Sequence, residues 1–333
     1  MQPAIKPATI LRHAYGIYPP LAMLAGMQLD LFTPLKDGPM TAAALAKALS
    51  LPTDKLRPLL YALVHAELLT LVEGNRFANT PEADVYLVRD REAYLGSAHE
   101  LYSDLWGAAL TAGLSIRANR PQVKHDFSEM SEEKLGAFFR GLHSGALATG
   151  RYLTTTYNFA PLRNLLDVGG GSGGVCIAAC QNCRDLRGTI IELPKVAPNA
   201  QAMLREAKLA NRVEVLAADI VERAPDGQFD VAVLRNLIQV LGPDAACRAL
   251  RNVGQVIERG GYLFIVGHVL QDSRLAPAEA VYLNLAFLSV YEDGQAHTER
   301  EHRTWLAEAG FADIDVRYSA GPGGASVVSA RKG

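Results

Sequence analysis

Residues Leu165 to Gly174 read LLDVGGGSGG, an apolar run that ends in a cluster of glycines. The run has the pattern of a strand buried on both faces, and the glycines after it allow a tight turn whose backbone can approach a ligand where any Cβ would clash. From Leu165 onward further segments of the same kind recur: GTIIELP, RVEVLAAD, FDVAVLRN and GGYLFIVGHVL, then DIDVRYSA and ASVVSARKG. Alternating with amphipathic helices, they predict an α/β fold with a doubly wound, mostly parallel sheet. In such a sheet ligands sit beyond the carboxyl ends of the strands, near the point where strand order reverses.

A chain of 333 residues suits two domains better than one. With 33 basic and 35 acidic residues it carries no positive field for nucleic acid or an anionic bilayer, so neither is expected as a partner. Its longest apolar stretches, such as Val231 to Leu234 and Tyr262 to Val266, fall far short of the ~20 residues of a membrane helix. The opening MQPAIKPATILRHAYGIYPP is broken by prolines and does not resemble a signal peptide, so a cytoplasmic protein is expected. Cys176, Cys180 and Cys183 have a spacing that can hold an iron–sulfur cluster. The segment VCIAAC follows a phosphate-type turn and reads as helix, which makes them buried structural cysteines, and no metal site is expected.

Between residues 41 and 80 the pattern is helix, helix, hairpin, the order of a winged helix. Thr41 is placed to cap a helix with Leu45, Ala48 and Leu49 inward; Leu56, Leu59, Leu60 and Leu63 form a second stripe; a Glu-Gly-Asn turn then joins two short strands. The second helix has Lys55 and Arg57 near its start and is otherwise apolar, which fits dimerisation better than reading a DNA groove. The expected division is a winged-helix dimerisation domain at 1–90, a helical linker with substrate-pocket helices at 91–160, and a ligand-binding α/β domain at 161–333.

Two acids complete the glycine turn. Glu192 ends the second strand, about 20 residues on, where a carboxylate commonly grips ribose hydroxyls, and Asp219 ends the third. NAD would use the same logic. An acid at Asp167 before three consecutive glycines, with a second at Asp219, better suits a ligand with an amino-acid tail and an adenine amine, namely S-adenosylmethionine (SAM).

DVGGGSGG, IIELP, AAD, RNLIQVLGPDAACRAL and YLNLAFLSVYEDGQAHTEREHRTWLAEAGF together resemble the class I SAM-dependent small-molecule O-methyltransferases of plants and bacteria. LAMLAGMQLDLFTPLKDGPMTAAALAKAL resembles the winged-helix dimerisation domain of the same family. The resemblance covers nearly the whole chain and implies a homodimer. It also implies a cofactor set of Asp167, Gly169, Gly171, Glu192, Leu193, Asp219, Ile220 and Arg235. Phe139, Leu142, His143, Gln239, Asn284 and Phe287 are the substrate-binding set that it implies.

The catalytic set departs from the family. Where the family has histidine followed by aspartate, this chain has Gln239 and Val240, and two flanking family acids align with Gly267 and Ala296. A glutamine cannot take a proton near neutral pH, although it can orient a substrate. His268 and His297 stand next to two of the altered positions, so with Gln239 they are the catalytic candidates. Thr298 and Glu301 have the spacing of a capping box, which gives that stretch a structural account. The expected activity is SAM-dependent methylation of a small aromatic or conjugated molecule without the family's histidine base. Methylation of carbon or another non-phenolic atom, and a non-methylating reaction in a SAM-binding fold, are the alternatives.

Overall fold

The structure is a computed structural model that describes residues 5–333; residues 1–4, at the start of the expected 1–90 segment, lie outside the described residues. The chain divides into a unit ending at Ser103 and a second unit of Asp104–Gly333.

The first unit contains α1 (Ala8–Tyr15), α2 (Tyr18–Gln28), β1 (Met40–Thr41), α3 (Ala42–Ala48), α4 (Thr53–His65), β2 (Leu69–Val72), β3 (Arg76–Asn79) and α5 (Pro81–Leu87). The Thr41 side chain accepts from the Ala44 amide and caps α3. The hairpin turns on Gly74 and Asn75, whose φ of +75° and +52° is the left-handed backbone such turns require. The antiparallel order β1-β3-β2 completes a winged helix. Leu45, Leu56, Leu60 and Leu63 pack around Phe32 and Phe77. Ala48 departs from expectation: α3 ends on it, and the short helix turns Leu45 and Ala46 inward while Ala48 stays exposed. Ile10, Leu11, Tyr15 and Tyr18 of α1 and α2 are exposed.

Helix α6 (His99–Ala109) begins before the boundary, and α7 (Ala112–Ala118) and α8 (Glu132–Thr156) follow. The α/β part then runs β4 (Asn164–Val168), α9 (Gly174–Asn182), β5 (Arg187–Glu192), α10 (Ala197–Glu206), β6 (Val213–Ala217), β7 (Phe229–Arg235), α11 (Pro243–Val256), β8 (Ile257–Gly267), β9 (Val269–Leu270), α12 (Ala278–Val290), β10 (His297–Thr298), α13 (Glu299–Glu308), β11 (Phe311–Arg317) and β12 (Ser326–Lys332). The sheet order is β11-β12-β8-β7-β4-β5-β6, parallel from β8 to β6, with β12 antiparallel to both of its neighbours. Leu165, Leu166, Val231 and Val233 are fully buried because helices cover both faces.

β4 pairs with β7 on one side and β5 on the other, so strand order reverses there and a crevice opens beyond its carboxyl end. α8 lies on that crevice because its contact residues are small. A Cβ on Gly150 would fall 2.6 Å from the Val175 carbonyl, and one on Gly174 would fall 2.7 Å from Ala146. Cys176 and Cys180 are buried on α9 and Cys183 is half-buried after it. No described helix is long and apolar enough to cross a membrane.

Candidate functional site

The crevice has two sides. On the first, Gly169, Gly171 and Gly173 take φ of +64°, +57° and +72°, a conformation that side chains resist. A Cβ on Gly171 would also lie 2.8 Å from the Phe139 ring. At the end of β5, the 8 % exposed carboxylate of Glu192 accepts from the Gly171 amide through Oε2 at 2.8 Å and from the Leu193 amide through Oε1 at 2.7 Å. Each oxygen keeps a further lone pair for a ligand hydroxyl. Burial raises the Glu192 pKa, while the Leu193 and Gly171 amides oppose that shift.

Asp167 is fully buried, and no well-aligned hydrogen bond reaches either carboxylate oxygen among the described residues, the Cys176 backbone N–H being a weak donor to it. Burial pushes its pKa up to about 7, with the Cys176 backbone and Arg235 pulling the other way. A buried carboxylate so weakly partnered is costly and calls for a cationic donor. At the end of β7, Arg235 Nε donates to Thr149 Oγ1 at 3.1 Å, and its guanidinium lies over Gly145, where a Cβ would come within 2.6 Å of Nη2. Burial lowers the Arg235 pKa to about 10 against the attraction of Asp167. Beyond β6, Asp219 Oδ1 accepts from the Val221 amide at 2.8 Å, and Ile220 is buried beside it.

Three residues expected on the substrate wall lie against this first side. Phe139 and Leu142 pack with Leu193, Leu135 and Val196, and His143 Nδ1 is 2.9 Å from Ser172 Oγ in the glycine loop. Burial lowers the His143 pKa.

The second side is built at the ends of β7 and β8. Gln239 lies in the short turn Ile238–Val240, is 5 % exposed, and donates from Nε2 to Asn236 Oδ1 at 3.0 Å. Its Oε1 occupies the space where a Cβ of residue 267 would stand, so the side chain is seated on Gly267. Two of the family's altered positions are thus one steric unit: the glycine makes room for the glutamine. Ala296 is fully buried, and its amide donates to Asn284 Oδ1 at 2.7 Å, so Asn284 ties α12 to the chain before β10.

The catalytic candidates separate. His297 is fully buried, with Nε2 2.9 Å from the Leu241 carbonyl and its ring edge-on to Trp305 at 4.9 Å. The structure gives it a packing position beneath the turn that carries Gln239. His268 is half-buried at the end of β8, its ring 6.3 Å from Phe287. Burial lowers its pKa to about 4, helped by the charge of Arg235 and opposed by Glu279, so the imidazole is neutral near pH 7.

Rings join the two sides. Phe287 contacts Tyr291 at 5.7 Å, Tyr291 contacts His125 at 5.8 Å, His125 contacts Phe138 at 5.4 Å, and Phe138 contacts Phe139 at 5.3 Å. His125 and Tyr291 were not legible as site residues, because no motif marks them. Nor were Asn236, which accepts from Gln239 and has a φ of +53°, and Thr149 with Gly145 under Arg235. The small residues of GLHSGALATG were the available signal for the last two. The Thr298–Glu301 capping box is present. No group of three or more metal-ligating side chains occurs among the described residues.

Comparison with known proteins covers the same ground. Residues 113–312 match the family model of the O-methyltransferase domain, and residues 11–89 match that of the O-methyltransferase dimerisation domain. The chain is similar to 3-hydroxy-5-methyl-1-naphthoate 3-O-methyltransferase of Streptomyces sahachiroi, 27% identical over 98% of this chain and 95% of that one. It is also similar to acetylserotonin O-methyltransferase of Mus musculus, 29% identical over 93% and 84%. Among solved structures, human N-acetylserotonin methyltransferase in complex with SAM superposes with a TM-score of 0.82 at 20% identity, over 100% of both chains.

Proposed function

Because the chain belongs to the O-methyltransferase family and is a SAM-dependent methyltransferase, we propose that it methylates a small aromatic or conjugated acceptor with no histidine base at position 239. One observation carries this reading: Gln239 is locked by Asn236 and seated on Gly267, so the place of the family's base holds a group that takes up no proton. The rings from Phe139 to Phe287 supply flat apolar walls suited to a conjugated acceptor.

The residues present fit SAM. The weakly partnered Asp167 carboxylate would meet the ammonium of its amino-acid tail, Glu192 would take the ribose hydroxyls, and Asp219 with Ile220 and Leu193 would hold the adenine. The loop at Gly169 and Gly171 leaves room for the tail, and Arg235 would balance the buried acids. When bound, SAM supplies an electrophilic methyl group on a sulfonium. The protein's part is then to align the acceptor with that methyl and to exclude water, which can lower a barrier by several kcal/mol. In this reading residues 1–90 form the homodimer contact, 91–160 contribute pocket helices and 161–333 hold the cofactor.

A site without a base at 239 suits an acceptor that is already nucleophilic. That extends the reading to an activated ring carbon or another non-phenolic atom. Incubation with methyl-labelled SAM and candidate acceptors is the test. Label in the product with equimolar S-adenosylhomocysteine (SAH) supports methyl transfer, and the labelled carbon's NMR shift tells oxygen from carbon. SAM bound without label in any product would favour the non-methylating alternative. Glu192→Gln should weaken SAM binding by about 100-fold in calorimetry, the scale of lost charge-assisted hydrogen bonds.

A further inference from the structure

The second unit holds His125, His143, His268, His297 and His302. In three of them a ring nitrogen is hydrogen-bonded: His143 with Ser172, His297 with the Leu241 carbonyl, and His302 with the Thr298 carbonyl at 2.9 Å; His125 Nε2 lies 2.8 Å from the Asp104 carboxylate, and its ring is held among Phe138 and Tyr291. No hydrogen bond or ion pair of the His268 ring is found among the described residues. Its contact within the fold is the packing against Phe287, which leaves the ring nitrogens unengaged. It stands at the carboxyl end of the strand next to the reversal pair, one residue after the glycine that seats Gln239, and against Phe287 at one end of the aromatic wall.

We propose that His268 is the side chain that meets the methyl-acceptor atom, and that the site takes the acceptor as an oxyanion held by a ring N–H of this histidine. The proposal rests on the methyltransferase reading above and names its substrate class: a small molecule whose hydroxyl is conjugated to a carbonyl or comparable electron-withdrawing group and ionises at or below about pH 7. Charged groups around His268 agree. Arg235, at the end of β7, adds positive potential, and Glu279, on α12, acts against it. An imidazole in a region of positive potential is a poor proton acceptor, and its N–H is a good donor to an anion. The step balances without a base. The acceptor proton goes to solvent when the anion forms, the oxygen lone pair attacks the methyl carbon, and the carbon–sulfur bonding pair returns to sulfur to give neutral SAH.

4-Nitrophenol tests this because its colour reports its ionisation. In SAH-loaded protein, the ionisation midpoint of bound nitrophenol should fall by about one to two pH units below the free value. The fall should disappear in His268→Ala and return in His268→Asn, which keeps a donor but does not titrate. An unshifted midpoint in wild type, absence of saturable binding, or a shift that survives His268→Ala overturns the proposal. SAH production is measured separately with carbonyl-conjugated hydroxyl acceptors. If every acceptor gives none, the methyltransferase reading of the site fails whatever the nitrophenol titration shows.

Discussion

The two sides of the crevice are made by different means. At the ends of β4, β5 and β6, backbone conformation does most of the work: positive-φ glycines, and amides aimed at Glu192. At the ends of β7 and β8 the arrangement depends on which side chain fills which volume, with Gln239 seated on Gly267 and Asn284 holding the Ala296 amide. Backbone-built sites admit few residue types at each position, whereas a volume can be refilled by a coordinated pair of changes. A cofactor can therefore stay fixed while the acceptor chemistry around it changes.

The largest effect expected from breaking this contrast is on the cofactor side. Gly171→Val forces a β-branched residue into φ of +57° against Phe139. It should cost about 4 kcal/mol of SAM binding, roughly 1000-fold in Kd by calorimetry. An affinity within tenfold of wild type would mean that the loop does not contact SAM.

The next effect separates buried histidines from reactive ones. His302 is 1 % exposed, and burial lowers its pKa to about 4. A depressed histidine contributes stability that is fully present above its unfolded pKa of about 6.5 and is lost as pH falls through about 4. The loss is roughly 3 kcal/mol, visible as a falling urea midpoint between those values. His302→Leu should remove this histidine's share of that dependence, leaving the share of His143, His268 and His297, without moving the pH profile of turnover.

On the acceptor side, Gly267→Ala should displace the Gln239 carboxamide and cost about 2 kcal/mol, roughly 30-fold in kcat/KM. Adding Gln239→Ala should recover most of the loss, since the pair is one steric unit. Additive losses would show the two positions to be independent. The smallest change is expected from Gln239→His alone, within about fivefold of wild type, because Gly267 offers no carboxylate to orient an imidazole.

How much of this was legible follows the same division. Asp167, Gly171 and Glu192 could be read from the sequence because strand ends fix their places and strand periodicity is visible in LLDVGG and GTIIELP. Phe139, Leu142 and His143 could be placed on α8, but not on the glycine-loop side of the crevice, since that depends on close approach at Gly150 and Gly174. The seating of Gln239 on Gly267 joins residues 28 positions apart through side-chain volume, for which no local pattern exists. His297 and His268 look alike in sequence, each beside an altered position. Only packing separates the one hydrogen-bonded under Trp305 from the one against Phe287 whose ring nitrogens make no hydrogen bond.

The central claim is that methyl transfer here needs an ionised acceptor and no base at position 239. The most direct measurement is the pH dependence of kcat/KM, followed by SAH release, for two acceptors whose hydroxyls differ in pKa by about two units. The expected result is a rising limb whose midpoint moves with the acceptor, in wild type and in Gln239→Ala alike. One fixed midpoint for both acceptors, set by a group of the enzyme, would contradict the account.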